Sequence, residues 1–332
     1  MIKNKLKITM EIISSLKTEK KSFKYFGSGV EFAIIFFKNI LLTLFTLGLY
    51  YPWAKVEILK YHYQSTELDE SRFTFHGTGN EVFRGFVKIY IIFILLYGTL
   101  IYGLQSGNQT TTILTVAIFY LFFILIIPFA IHGAIRYRSS RSSWKGIHFK
   151  YLGKRMELFW KFITGMILTI LTFGIYGAWF QIEIRKYILS HLRFGNLSFD
   201  FKGKGETLFW INLKFILLFY LTLGIYSFWY LKNLWTFYAE NTEVTQNGKK
   251  VNFKLNIKPG DIFELMIVNF LLIVLTLGIA TPWVTIRTFN FIFRFLEIEE
   301  GLNTNVIQQT SYDDYDDASG DDLLDFLDLD LL

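Results

Sequence analysis

There is no cysteine among the 332 residues, which excludes disulfides, thiol nucleophiles and Cys-based metal or iron–sulfur sites. Charge is also sparse. Only 19% of residues are charged against 52% hydrophobic and 19% aromatic, a balance too apolar for a soluble domain of this length, so that lipid is the expected solvent for much of the chain. Lys and Arg run out altogether after Arg294, whereas Glu297, Glu299, Glu300 and nine Asp lie beyond it. The formal charge of +6 therefore divides into +18 on residues 1–296, where 34 basic residues face 16 acidic ones, and an acidic end. Such a body suits an anionic membrane surface rather than nucleic acid, because its Lys and Arg flank apolar runs instead of forming one soluble stripe. No G-x-S-x-G, Walker or H-E-x-x-H pattern occurs, and His62, His76, His132, His148 and His191 have no metal-ligand spacing. The residues predict no enzyme, no metal and no cofactor.

What is present is a period. Thr46-Leu47-Gly48-Leu49-Tyr50 with Trp53 recurs as Thr172-Phe173-Gly174-Ile175-Tyr176 with Trp179, and as Thr222-Leu223-Gly224-Ile225-Tyr226 with Trp229. A fourth copy, Thr276-Leu277-Gly278-Ile279-Ala280 with Trp283, loses only the Tyr. An acid opens each apolar run: Glu31, Glu81, Glu157, Glu206 and Asp261. Ahead of each acid lies an alternating segment, Phe23/Tyr25/Gly27, Phe73/Phe75/Gly77, Phe149/Tyr151/Gly153, Phe199/Phe201/Gly203 and Leu255/Ile257/Pro259. Alternation of this kind is a strand signal, and Gly195-Asn196 and Asn247-Gly248 supply turn chemistry. Each carboxylate then falls in the first turn of a helix, where exposed N–H groups favour negative charge. The second copy lacks the T-L-G sequence and has two apolar runs, about 82–104 and 110–131, which read as a plain helical hairpin.

These motifs, F-x-G-x-G-x-E-x-F at Phe75 to Phe83 with its close variant F-x-G-x-G-E-x-x-F at Phe201 to Phe209, and Asn39 ahead of T-L-G-L-Y-Y-P-W-A at Thr46 to Ala54, resemble the YjgN family of bacterial inner-membrane proteins, a domain of unknown function. The resemblance covers roughly residues 22–296. It implies a bacterial inner-membrane location and no established activity.

Hydropathy alone counts six spans, near 31–54, 82–104, 110–131, 158–180, 207–230 and 262–284, each long enough for a ~30 Å hydrocarbon core. Alternating sides would then put 14 flanking Lys and Arg on one side and 15 on the other, leaving no inside by the positive-inside rule. Hairpin or re-entrant units with T-L-G at the tip put all of them on one side, with both termini cytoplasmic and the strands on a common face. The expected class is thus an all-α polytopic membrane protein of about five helical hairpin or re-entrant units, starting near residues 22, 72, 148, 198 and 252, with short β-strands in the linkers. Met1 to Lys21 is too interrupted by lysine for a signal peptide, and reads either as a basic amphipathic surface helix or as a polar tail.

Polar residues inside the first helix of each unit are the candidate site. Lys38 and Asn39 follow Glu31, Arg84 and Lys88 follow Glu81, Lys161 follows Glu157, Lys214 follows Glu206, and Glu264 and Asn269 follow Asp261, all at helix-face spacings. Two readings stand: the cations snorkel and pair with the carboxylates, or the stripes converge on a site for an anionic lipid head group or small solute. The T-L-G tips read as turns, with a hinge as the other possibility. From Gly301 to Leu332 the composition is that of a disordered acidic tail, whose Asp/Leu alternation also suits docking onto a protein partner or the chain's own basic body. Membrane lipids, anionic ones as candidates among them, are the expected partners, with transport or lipid handling as the leading function and a membrane scaffold as the alternative.

Overall fold

In the computed structural model, residues 22–298 and 302–309 are described; Met1 to Lys21, with its amphipathic sequence, and the acidic stretch from residue 310 lie outside them. The chain passes five times through the order strand, helix, helix, strand. The first unit is β1 (Phe23–Tyr25), α1 (Gly29–Phe45), α2 (Tyr51–Ser65) and β2 (Thr66–Leu68). The second is β3 (Ser71–Phe75), α3 (Gly79–Gln105), α4 (Gln109–Ser140) and β4 (Ser142–Trp144). The third is β5 (Ile147–Tyr151), α5 (Arg155–Leu171), α6 (Gly177–Ser190) and β6 (Leu192–Phe194). The fourth is β7 (Leu197–Phe201), α7 (Gly205–Leu221), α8 (Ser227–Glu240) and β8 (Thr242–Gln246), and the fifth β9 (Lys249–Leu255), α9 (Pro259–Leu275), α10 (Thr281–Phe295) and β10 (Leu296–Ile298).

The ten strands pair antiparallel in chain order as one sheet, and a bridge between Ser22 and Glu297 joins its two ends into a nearly closed barrel. This corrects the all-α class. The strands are not isolated linker pieces: each alternating aromatic segment pairs with a three- to five-residue strand at the far end of its own helical hairpin, as Phe23 with Leu68, Phe73 with Trp144, Phe149 with Phe194, Phe199 with Val244 and Phe253 with Ile298. Tight turns join the units on the other side, and the single bridge leaves only the short strands β1 and β10 as edges among the described strands. In the fifth unit the register shows that Phe253 and Leu255, not Leu255 and Ile257, hold the places of Phe23 and Tyr25; Ile257 stands where other units have Gly27 or Gly77.

The alternation turns one row of side chains inward. Leu68, Trp144, Phe194, Leu197, Val244, Val251 and Ile298 form a buried core with Phe23, Phe73, Phe149, Phe199 and Phe253 packed against it. Phe149 and Phe194 stack at 4.2 Å, and Phe23 and Phe73, two strands apart, approach to 6.3 Å. Leu302 and Ile307 enter the same core from the C-terminal segment. That segment is fixed by a reciprocal pair of hydrogen bonds between Gln246 and Asn303, by Thr304 donating to Asp69, and by Asn196 donating to the Val306 carbonyl. Residues 302–309, at the head of what reads in sequence as a solvated tail, therefore fill the turn end of the barrel.

Among the described residues two helices, α3 and α4, are long and apolar enough to cross a membrane. The other first arms have 17 residues, about 25 Å of helix. Neighbouring units lock together through tryptophan. Trp53 lies on Gly79, Trp179 on Gly205 and Trp283 on Gly29, so the second arm of one unit leans onto the start of the next, and the last unit closes on the first.

Candidate functional site

The acids that open the helices are built into the turns between strand and helix. Thr78 and Glu81 form a capping box: the Glu81 amide donates to Thr78 Oγ1 at 3.4 Å, and the Thr78 amide donates to Glu81 Oε2 at 3.1 Å. Glu81 also pairs with Arg141 from the end of α4 at 3.0 Å. Asp261 accepts from the Lys258 amide at 2.9 Å, and the Glu31 amide donates to Ser28 Oγ at 3.5 Å. Near the end of a second arm, a tyrosine meets the same turn. Tyr61 accepts from the Ser28 amide and donates to its carbonyl, Tyr187 does the same at Lys154, and Tyr137 donates to the Thr78 carbonyl. The five-residue spacing of Tyr61, Tyr137 and Tyr187 ahead of Thr66, Ser142 and Leu192 was available in sequence as a signal for this clamp.

The cations behind the acids mostly turn elsewhere. Lys38 pairs with Glu57 of α2 at 2.5 Å, not with Glu31. Asn39 is buried, with Nδ2 3.5 Å from the Ala54 carbonyl, and Asn269 donates to Thr288 at 3.2 Å. Arg84 and Lys88 are exposed on the first turns of α3. In the third unit the predicted acid and base meet on one group: the Lys161 ammonium lies 5.6 Å from the Tyr187 ring centre, and the Tyr187 hydroxyl is 3.5 Å from Glu157.

Two clefts collect predicted residues. The first, about 540 Å³, lies between α7 and α8 and is lined by Lys204, Glu206, Trp210, Lys214, Tyr226 and Asn233. Its cations number two against one carboxylate, and exposed Trp210, Ile216, Leu217 and Tyr220 continue the same helix as apolar surface. The second, about 600 Å³, sits where the fifth unit meets the first and is lined by Asp261, Glu264, Trp283, Arg287 and Arg294 among others; Arg287 and Glu264 are 3.7 Å apart. Neither cleft draws on more than two units, so the five stripes do not share one site there. Tyr226, Asn233, Arg287 and Arg294 were not anticipated, because residues of the tip and the second arm come into place only when the hairpin folds back; Trp210 stands on the first arm, four residues before Lys214, a helix-face spacing that was present in the sequence.

The T-L-G sequences are hairpin tips with a common hydrogen-bond pattern. Gly48, Gly174, Gly224 and Gly278 donate their amides five residues back, to Thr43, Thr169, Phe219 and Ile273, at 2.7–2.8 Å. The hydroxyls of Thr46, Thr172, Thr222 and Thr276 each accept the amide four residues ahead at 2.9–3.0 Å. The turn thus meets much of its own backbone polarity without water. Meanwhile Leu47, Phe173, Leu223 and Leu277 at the apices are 81–98% exposed.

Comparison with known proteins places these features. Inner membrane protein YjgN of Salmonella typhimurium strain LT2 is 27% identical over 183 residues, covering 52% of this chain and 44% of that protein. Inner membrane protein YjgN of Escherichia coli strain K12 is 26% identical over 170 residues, covering 51% of this chain and 40% of that protein. The chain thus matches less than half the length of these relatives. No solved structure matches. The model of a family described as bacterial protein of unknown function (DUF898) matches residues 20–221 and 234–326, reaching beyond the span of the sequence motifs into the acidic end, and the chain belongs to that family.

Proposed function

We propose that the chain is an integral protein of a bacterial inner membrane whose hairpin arms enter the bilayer from one side, and that the cleft between α7 and α8 holds an anionic head group or small anionic solute. The reading is one of binding, not catalysis. The observation that carries it is the pairing of Lys204 and Lys214 with Trp210, Tyr226 and Asn233 around one cleft, directly beside apolar helix surface. Ammonium groups at the edge of an apolar face attract phosphate, and Trp and Tyr suit the same polar–apolar boundary. Three things support the membrane setting: the inner-membrane relatives, the two long apolar helices, and tips that pair exposed Leu or Phe with internally bonded turns. The basic linkers flank the strands and the tips carry no charge, which supports a cytoplasmic barrel and termini.

The test uses the full chain in nanodiscs of phosphatidylcholine with a minor fraction of phosphatidylglycerol, with native mass spectrometry of retained lipid as the readout. Retention of phosphatidylglycerol that drops at least fivefold in a K204Q/K214Q variant is the expected result. Equal retention in the variant, or no preference over phosphatidylcholine, would overturn the site. Inorganic phosphate competing away the lipid would point to a solute instead.

A further inference from the structure

The four T-L-G hairpins fold back through tips with the same hydrogen bonds, so positions counted from the tip threonine can be matched between units. In the first unit Lys38, eight residues ahead of Thr46, pairs with Glu57, eleven residues after it, at 2.5 Å. Eight residues ahead of Thr222 and eleven after it stand Lys214 and Asn233. Both first arms, α1 and α7, have 17 residues and end just before the tip threonine. Their second arms meet them in the same register. Asn39 Nδ2 lies 3.5 Å from the Ala54 carbonyl, and at the matching positions Phe215 stacks on Tyr230 with ring centres 4.1 Å apart.

The fourth unit therefore keeps the lysine and exchanges its counter-ion for a neutral amide. Elsewhere a charge at either position meets a partner from its own hairpin. The third unit has Thr164 and Glu183 there, and Glu183 accepts from the Tyr176 hydroxyl at 2.7 Å. The fifth has Val268 and Arg287, and Arg287 lies 3.7 Å from Glu264. Lys214, among the described residues, has no carboxylate within ion-pairing distance and instead lines the cleft between α7 and α8 together with Asn233. An ionisable side chain within an apolar helix faces a partner, a cavity or a head group.

The exchange changes the chemistry of the cleft in two ways. A carboxylate at position 233 would only accept hydrogen bonds, whereas the amide donates. With Asn there, Lys204 and Lys214 also face Glu206 alone, which leaves one positive charge in excess on the lining. A phosphodiester answers both, with a single negative charge and two free oxygens, one for the Lys214 ammonium and one for the Asn233 amide. We propose that Asn233 is the residue that opens this cleft to a phosphodiester anion, by standing where the first unit has the glutamate that neutralises its own lysine. This rests on the anion-binding reading of the cleft given above.

Asn233→Glu in the full chain transplants the pair of the first unit into the fourth. Zero-length carbodiimide cross-linking should then join positions 214 and 233, as it joins Lys38 to Glu57 in the parent. In nanodiscs of phosphatidylcholine with a minor fraction of phosphatidylglycerol, retention of phosphatidylglycerol should fall about fivefold or more, because the new carboxylate competes with the phosphate. Asn233→Asp should repeat the loss, and Asn233→Gln, which is longer but neutral, should keep the parent's retention. Thermal melts establish that each variant is folded. Dimethyl phosphate separates two sources of the same anion: displacement of the lipid by it assigns a free phosphodiester, and persistence of the lipid assigns a head group held by its chains, the loss in Asn233→Glu supporting the role of Asn233 in both cases. Undiminished retention in the folded Glu and Asp variants would overturn that role and leave the cleft as a binding site. A parent with no preference for phosphatidylglycerol would overturn both.

Discussion

Trp179 of the third unit lies so closely on Gly205 of the fourth that a Cβ added at Gly205 would stand 2.4 Å from Trp179 Cδ1 and 2.9 Å from its Cα. The obstacle includes backbone, so it cannot be relieved by a rotamer change alone. Gly205→Ala should cost about 1–3 kcal/mol, the range for overpacking, and lower the melting temperature of the purified protein. Gly260→Ala is the matched control, since nothing lies within 4 Å of a Cβ there. Equal melting temperatures for the two variants would show that the Trp–Gly seams do not hold the units together.

The hairpin tips make a different demand. Gly174 has φ of +90° and the preceding Phe173 +52°, with open space around Gly174. Gly174→Ala should therefore lose about 1–2 kcal/mol from backbone strain alone, the cost of left-handed conformation for an L-residue. A melt unchanged from the parent would mean that the tip relaxes into another turn.

Tyr187 bonds both the amide and the carbonyl of Lys154, at 2.7 and 3.0 Å. Tyr187→Phe should cost roughly 0.5–1.5 kcal/mol per lost bond, and faster hydrogen exchange at the start of α5 should accompany it. The fourth unit carries Phe237 at the corresponding place, against Gly203, and sets an upper limit on how damaging the change is. Loss of folding in Tyr187→Phe would show that the hydroxyl does more than clamp the turn.

Burial, with His76 and Arg141 nearby, holds the His148 pKa below its ordinary value. The unfolded chain then binds the proton more readily, so stability should be fully present above about pH 6.5 and fall as the pH drops below it. His148→Gln should flatten that decline in a series of melts at about pH 7.5 down to about pH 5, the range in which an imidazole titrates. An identical slope in the variant would assign the decline to other groups.

Much of the strand pattern was legible because Phe23/Tyr25 and Phe199/Phe201 alternate within short segments that end in glycine. The barrel was not, because Thr66–Leu68 and Ser142–Trp144 are three residues long and carry no period, and their partners lie a whole helical hairpin away. The capping role of Glu81 follows from Thr78 three residues earlier. The partner of Lys38 could not be foreseen: Glu57 is 19 residues on, beyond a tip whose turn geometry sets which helix faces meet. Register in the fifth unit was misplaced by two because Ile257 replaces the glycine that marks the other units.

The seam between the last unit and the first is of the same kind as those between consecutive units, with Trp283 on Gly29 as Trp179 is on Gly205, and Ser22 bridged to Glu297. A ring built this way has no privileged starting point. Joining Ile298 to Ser22 through a short linker and opening the chain between Asn247 and Gly248, in an exposed turn, should give a circular permutant that still folds, once residues 302–309 are supplied as a separate peptide.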